Sequence, residues 1–283
     1  MFALSLENES GNIVNINDDR RYVVTAVSGL NPPSASIFTE KSPNKKGVKY
    51  NGSTLNERHM IITMKILGDI EKNRNYLYDW VDTEQYIKIH YKNGIKNVYC
   101  EGHVEDCDID LFTDNELINL AVICENPYWK ALQEISTEIS SLLKQFTFPF
   151  AIDSKGIPFS TIRESNKTNV FNSGAETGVK IIIKCNGDIK NLAIYYGNDI
   201  SNEFKINATL RKNWTVEIDT EASPKKVKAF KPDGTTENFL KYVGDNPTWF
   251  TLKKGNNTFW HNAESGGTNA EIFIGFNTKY LGV

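Results

Sequence analysis

Cys100, His103, Cys107 and Cys124 come closest to metal-binding chemistry, because thiolate sulfur and imidazole nitrogen are zinc ligands. Their Cys-x2-His-x3-Cys spacing fits such a site only loosely, and on a strand over Val98–Val104 the side chains of Cys100 and His103 project from opposite faces. Buried thiols and a surface histidine are the simpler reading, so no metal is expected. Asp106-x-Asp108-x-Asp110 begins like a calcium-binding EF-hand loop, but Leu111 stands where the loop needs Gly and Leu117 where it needs a bidentate Glu. For nucleophilic or phosphoryl chemistry, Gly-x-Ser-x-Gly, Gly-x-x-x-x-Gly-Lys-Ser/Thr and His-Glu-x-x-His are all absent. His59, His90, His103 and His261 fall in no motif that pairs them with a nucleophile. A non-enzymatic protein without a cofactor is expected. Trp214, Trp249, Trp260 and His261, with Phe259, are the candidate sugar-facing aromatics, against the more frequent use of such rings in cores.

The elements that must position these residues divide into two sets. A chain of 283 residues, 40% hydrophobic, exceeds what one compact core usually serves and predicts two domains. Residues 1–145 hold 15 Lys+Arg against 21 Asp+Glu, and the remainder 17 against 14. A net charge of −3 provides no clustered basic surface for sequence-specific nucleic-acid binding. No apolar run reaches the roughly 20 residues that span a bilayer, so membrane insertion is not expected. The N-terminal residues do not read as a secretory signal, and four cysteines in a chain of this length suit reduced thiols and assembly in a cytoplasm.

Arg58–Leu67 is predicted as a strand, with Arg58, Met60, Ile62, Met64 and Ile66 on one face. Gly68 breaks it, Asp69 caps a helix, and Ile70, Arg74, Leu77, Tyr78 and Val81 form that helix's inner stripe. Strands are also predicted over Phe2–Asn8, Asn12–Asn17, Tyr22–Leu30 and Glu116–Glu125, the last buried on both faces. Gln85–Tyr91 and Ile95–Glu105 read as a hairpin about Asn93-Gly94, a dipeptide suited to positive φ. Pro127-Tyr128-Trp129 closes this domain (1–129), a linker follows (130–145), and 146–283 reads as many short strands with close turns, a β-sandwich. The fold class is mainly β with one principal helix.

Between Asn31 and Gly52 lies a long stretch read as a loop, carrying Pro33, Lys41, Lys45, Lys46 and Lys49. Loops of this length inside compact domains usually serve a purpose. A solvated surface loop is one reading of it. The acidic tract Glu101, Glu105, Asp106, Asp108, Asp110 and Asp114 offers charges opposite to these lysines.

The tract Gly52-Ser53-Thr54-Leu55-Asn56-Glu57-Arg58-His59, followed by an Ile-rich strand, Leu67-Gly68 and a helix with Arg74 and Leu77, resembles the distal tail protein family of long-tailed (siphovirus) phages. Tyr99-Cys100-Glu101-Gly102-His103-Val104, Glu125-Asn126-Pro127-Tyr128-Trp129, Phe148-Pro149-Phe150, Asn172-Ser173-Gly174 with Thr177-Gly178, and Lys254-Gly255-Asn256-Asn257 follow in the family's order. The resemblance implies a structural virion component. Six copies would form a homohexameric ring through the N-terminal domain, joining the tail tube protein to tail-tip, baseplate and receptor-binding proteins. The resemblance also implies the other reading of the stretch with Pro33, Lys41, Lys45, Lys46 and Lys49, an arm that clasps a neighbouring subunit, whose counterpart would be the acidic tract over 101–114. It also implies a C-terminal sandwich like those of galectins and carbohydrate-binding modules. The galectin signature His-x-Asn-x-Arg is absent, since His261-Asn262-Ala263-Glu264-Ser265 departs from it. The alternative function is a carbohydrate-binding protein that recognises a host-wall polysaccharide.

Overall fold

The computed structural model describes residues 2–17, 20–43, 46–110, 116–139, 142–144, 160–162 and 167–283. Lys45, Leu111, Asp114 and Phe148-Pro149-Phe150 lie outside them. The chain divides into two units, Met1–Gln133 with Lys279–Val283, and Glu134–Thr278. The protein is mainly β, with one α-helix among the described residues.

The first unit contains β1 (Ala3–Asn8), β2 (Ile13–Asn15), β3 (Tyr22–Ser28), β4 (Ala35–Glu40), β5 (Lys49–Leu55), β6 (Arg58–Ile66), α1 (Ile70–Tyr78), β7 (Tyr86–Lys92), β8 (Asn97–Ile109), β9 (Leu117–Cys124) and the start of β10 (Trp129–Glu138). One antiparallel path runs β2-β1-β7-β8, another β8-β9-β6-β3. The 13-residue β8 serves both, pairing with β7 through Asn97–His103 and with β9 through His103–Ile109. Its register shifts between Val104 and Asp106, the kind of bulge that bends a strand. Gly102 sits at this corner, where an added Cβ would collide with the carbonyl of Ile123.

Period-2 burial builds the core. Met60, Ile62, Met64 and Ile66 of β6 and Ile118, Leu120, Val122 and Cys124 of β9 all face inward. Burying each such large side chain contributes about 1.5–3 kcal/mol. The other face of β9 is half-buried instead of fully covered, which corrects the expectation of a strand enclosed on both sides. Asp69 caps α1 by accepting from the Lys72 N–H at 3.2 Å. The helix is shorter on its apolar face than its stripe predicts. Asn73 and Leu77 are buried, with Val81 beyond the helix end, whereas Ile70 and Tyr78 are exposed. Asn73 is held inside because its side chain donates to the Leu67 carbonyl and its carbonyl accepts from the Tyr22 hydroxyl, each at 2.6 Å.

The second unit takes the rest of β10, then β11 (Leu142–Lys144), β12 (Ser160–Ile162), β13 (Thr168–Asn172), β14 (Thr177–Gly178), β15 (Lys180–Cys185), β16 (Ile189–Tyr196), β17 (Glu203–Lys205), β18 (Thr209–Leu210), β19 (Thr215–Asp219), β20 (Lys226–Phe230), β21 (Thr236–Asn238), β22 (Thr251–Leu252), β23 (Gly255–Ser265) and most of β24 (Ala270–Tyr280). One sheet runs β24-β15-β19-β20-β21 and a second runs β13-β23-β16-β17, with β18 also on β16. Ile181, Ile183, Val216 and Ile272 of the first share a core with Leu192, Ile194, Phe204 and Phe259 of the second. Two sheets packed through alternating inward residues make a β-sandwich.

Candidate functional site

β4 and β5 form a hairpin where the Pro, Gly and Lys content of the stretch Asn31 to Gly52 predicts a loop. β4 and β5 pair antiparallel from Ala35↔Leu55 to Glu40↔Lys49, with a register shift between Phe38 and Thr39. Every residue of β4 is exposed, as is all of β5 except the half-buried Gly52. Ile37 (63%), Phe38 (52%) and Tyr50 (61%) stand in solvent with Val48 and Leu55. The register puts Ile37, Leu55 and Tyr50 on one face, since directly opposed residues point the same way. An isolated two-stranded hairpin is marginally stable in water, and contiguous exposed apolar side chains mark an interaction surface. Lys41, Lys46 and Lys49 are exposed along the same arm, and Pro33 is half-buried at its entry. The acidic residues Glu105, Asp106, Asp108 and Asp110 are exposed on or just beyond β8. Glu101 is instead committed to Lys130 at 2.5 Å and to the Tyr86 hydroxyl at 2.7 Å.

The base of the arm is built by hydrogen bonds. The Asn56 N–H donates to the Ser34 carbonyl at 3.0 Å, and Ser36 Oγ donates to Asn56 Oδ1 at 2.8 Å. Two residues further on, the guanidinium of Arg58, 1% exposed, donates to the carbonyls of Gly29, Asn31 (2.7 Å), Pro127 (2.6 and 2.9 Å) and Leu281 (2.6 Å). It also lies over the Trp129 ring, 5.4 Å from the centroid. Burial pulls the Arg58 pKa down, with the Cys100 and Cys124 thiols acting against it. Sequence reading did not single out Arg58 as an anchor. The signal was its register, a charged residue on the same strand face as Met60, Ile62 and Met64.

The four aromatic candidates of the second unit do not form one face. Trp214 is half-buried at the core margin, edge-on to Phe239 with centroids 6.0 Å apart, and Lys231 Nζ lies 5.1 Å from its ring. Trp249 packs edge-on against Phe204 at 5.1 Å. His261 points into the sandwich at 1% exposure, where burial lowers its pKa against the opposing effect of backbone contacts at Gly267 and Ile139. This position corrects the pairing of His261 with Trp260 as neighbours on one face, because adjacent strand residues alternate. Trp260 alone faces outward. Its ring stacks on Tyr195 of the paired strand, centroids 4.0 Å apart and planes 13° apart, and its Nε1 donates to the Gly197 carbonyl at 3.1 Å.

Beside this pair lies a depression of about 270 Å³, lined by Asn191, Ala193, Tyr195, Lys205, Asn262 and Glu264. A second, of about 290 Å³, shares Lys205 and continues along Glu203, Asn207, Asp245 and Asn246. None of these polar residues was singled out in the sequence. The available signal was the alternation Trp260, Asn262, Glu264 along one strand.

Cys100 and Cys124 bring their Sγ atoms to 3.8 Å in the first core as free thiols, and burial pushes Cys107 up to about 11 and Cys185 up to about 12. Among the described residues, no three His, Cys, Asp or Glu side chains cluster as a metal site would require. No helix among them is long and apolar enough to cross a membrane.

No protein-family model matches the sequence, and no curated protein does. Solved structures do match over its whole length. The Dit protein (gp 19.1) of phage SPP1, described as a paradigm of the hub adsorption apparatus in phages infecting Gram-positive bacteria, superposes with a TM-score of 0.72 at 13% identity, covering 98% of this chain and 99% of that one. A chain of the phage P2 baseplate, in its activated conformation with Ca, covers 100% of both at a TM-score of 0.60 and 12% identity. A chain of the same baseplate with Sr gives 0.55 at 11% identity, over 97% and 98%. The chain thus has the fold of phage Dit and baseplate proteins.

Proposed function

We propose that this protein is a structural, non-enzymatic component of a phage tail, a distal tail protein that forms a ring at the end of the tail tube. The observation that carries this reading is the end-to-end fold match to the Dit hub protein, in a chain that also projects an apolar hairpin. In the proposed assembly six copies close through the first unit, each arm laid on the next subunit with its apolar residues covered and its lysines towards Glu105, Asp106, Asp108 and Asp110. Cyclic closure satisfies every arm, as a heterologous head-to-tail contact can when its rotation closes. Tail tube, tail-tip and receptor-binding proteins are the partners, and assembly in the host cytoplasm precedes incorporation into the virion. Light scattering behind size exclusion tests this on the purified chain. Six copies of 32.0 kDa give about 192 kDa. Monomer at all concentrations, with or without a tail tube partner, would remove the ring.

A second reading is carbohydrate binding by the second unit, and the outward Trp260–Tyr195 stack favours it. Binding of the full chain to wall polysaccharide tests it directly.

A further inference from the structure

We infer that the two adjoining depressions on the outer face of the β13-β23-β16-β17 sheet form one glycan trough with two subsites, shaped for a largely uncharged polysaccharide. The inference rests on the carbohydrate reading above and supplies its site. Ala193 is the floor of the first depression, with taller side chains around it: Asn262 and Lys205 are its register partners on either side, and Tyr195 follows two residues along the same face. A small residue among larger ones turns a pleated sheet surface into a pit.

The walls suit a polyhydroxylated ring. Hydroxyl groups donate and accept, and the amides of Asn191 and Asn262 offer both capacities, while the carboxylate of Glu264 accepts. Glu264 is fixed before any ligand arrives, accepting from Lys190 and from Asn191 Nδ2, the latter at 2.6 Å. Tyr195 is fixed too, because Trp260 backs it and the indole is tethered to Gly197. Rings present negative faces that attract the polarised C–H groups of a pyranose. Side chains already ordered lose little entropy on binding.

The second depression extends the trough. The loop Gly244–Pro247 forms its far wall and is pinned to the β17 edge, with the Gly244 N–H on the Lys205 carbonyl at 3.0 Å and the Thr248 N–H on the Glu203 carbonyl at 2.7 Å. Lys205 is shared by both depressions. Each is close to the lower bound of ordinary ligand pockets, about 300 Å³, which suits one sugar unit apiece. Lys190 and Lys205 are offset by Glu203, Asp245 and Glu264, a mixture that disfavours a polyphosphate or any strongly anionic chain.

The test is calorimetry of the full chain against neutral mono-, di- and tetrasaccharides, neutral wall polysaccharide and inorganic polyphosphate, repeated with Asn262→Ala, Tyr195→Ala and Asp245→Asn. Light scattering and thermal unfolding confirm that each variant is folded, and the exposed Asn262→Ala keeps the test valid if Tyr195→Ala is not. Expected is affinity that rises from mono- to disaccharide and beyond. Asn262→Ala or Tyr195→Ala should then weaken every sugar by tenfold or more, and Asp245→Asn only the longer ones. Glycan binding untouched by Asn262→Ala and Tyr195→Ala would overturn this trough while leaving the carbohydrate reading intact. No glycan binding at all, or binding of polyphosphate alone, would end both.

Discussion

The Arg58 guanidinium donates to the carbonyl of Leu281 at 2.6 Å, a bond between residues 223 positions apart. The same side chain holds the carbonyls of Asn31 and Pro127, so the entry to the arm, its exit at the head of β6, the approach to β10 and the C-terminal segment meet on one cation. A buried guanidinium with carbonyl partners in several directions is satisfied by its five fixed donors, which a lysine cannot reproduce.

Arg58→Met should therefore be among the most destabilising single changes in the first unit. It leaves the part-buried carbonyls of Gly29, Asn31, Pro127 and Leu281 without this donor, each costing up to about 1 kcal/mol where water can reach it and more where it cannot. Arg58→Lys should recover only part of the loss. Denaturant unfolding measures both, and a change under 1 kcal/mol for the methionine variant would show that water replaces the guanidinium at little cost.

A smaller effect is expected at the helix start. Asp69→Ala removes the acceptor for the Lys72 N–H and should cost about 1 kcal/mol, with Asp69→Ser restoring most of it. Equal stability of all three proteins would mean that solvent caps this helix as well as the carboxylate does.

Gly102→Ala should bend or break the corner of β8. The added methyl meets the backbone of Ile123 and Cys124, and a strand bonded on both sides cannot retreat, so a loss of about 1–3 kcal/mol is expected. Retention of wild-type stability in denaturant would show that β8 and β9 can separate freely here.

Local signals explain what the sequence made legible. Asp69 after Gly68 announces the helix, and alternation along Arg58–Ile66 announces the buried face of β6. Asn93-Gly94 correctly marks the β7–β8 turn, but by a different mechanism from the one its composition suggests. Gly94 has no positive φ. Instead Asn93 Oδ1 accepts from the Ile95 and Lys96 N–H groups at 2.8 and 2.7 Å. The arm was illegible because β4 and β5 bury nothing, and without a buried face no hydrophobic alternation is required. The trough was illegible for another reason. Its floor and walls come from three strands and a loop, and only the register of β16 against β17 and β23 brings Ala193, Lys205 and Asn262 together.

Acid should weaken the first unit through Glu101. Burial acts to raise its pKa, but hydrogen bonds from Lys130 and Tyr86 outweigh it and hold the carboxyl below its ordinary value. A carboxyl depressed on folding stabilises the protein above its unfolded pKa, near 4.3, and that contribution disappears as pH falls through the folded value. Glu7 is depressed in the same direction, chiefly by Lys88 and against burial, with His90 assisting. Stability measured in denaturant should thus fall with pH below about 4. Glu101→Gln should flatten that slope while lowering stability at neutral pH. An unchanged slope would assign the acid sensitivity elsewhere.

In the proposed ring, the arm allows assembly to be tested separately from folding. Ile37 and Tyr50 share a face that the subunit leaves largely in water, so Ile37→Asp with Tyr50→Asp removes little intramolecular burial and one exposed hydrogen bond, between the Tyr50 hydroxyl and Ser53 Oγ. Unfolding of the monomer should shift by no more than about 0.5 kcal/mol per site, as for other surface changes. Association should respond very differently, because two carboxylates would be buried in every arm contact without partners. Light scattering should show the doubly substituted chain as a monomer under conditions where the wild type reaches its full assembled mass. A ring of undiminished mass from the variant would mean that closure runs through another surface of the first unit and that the arm's apolar face serves a different partner.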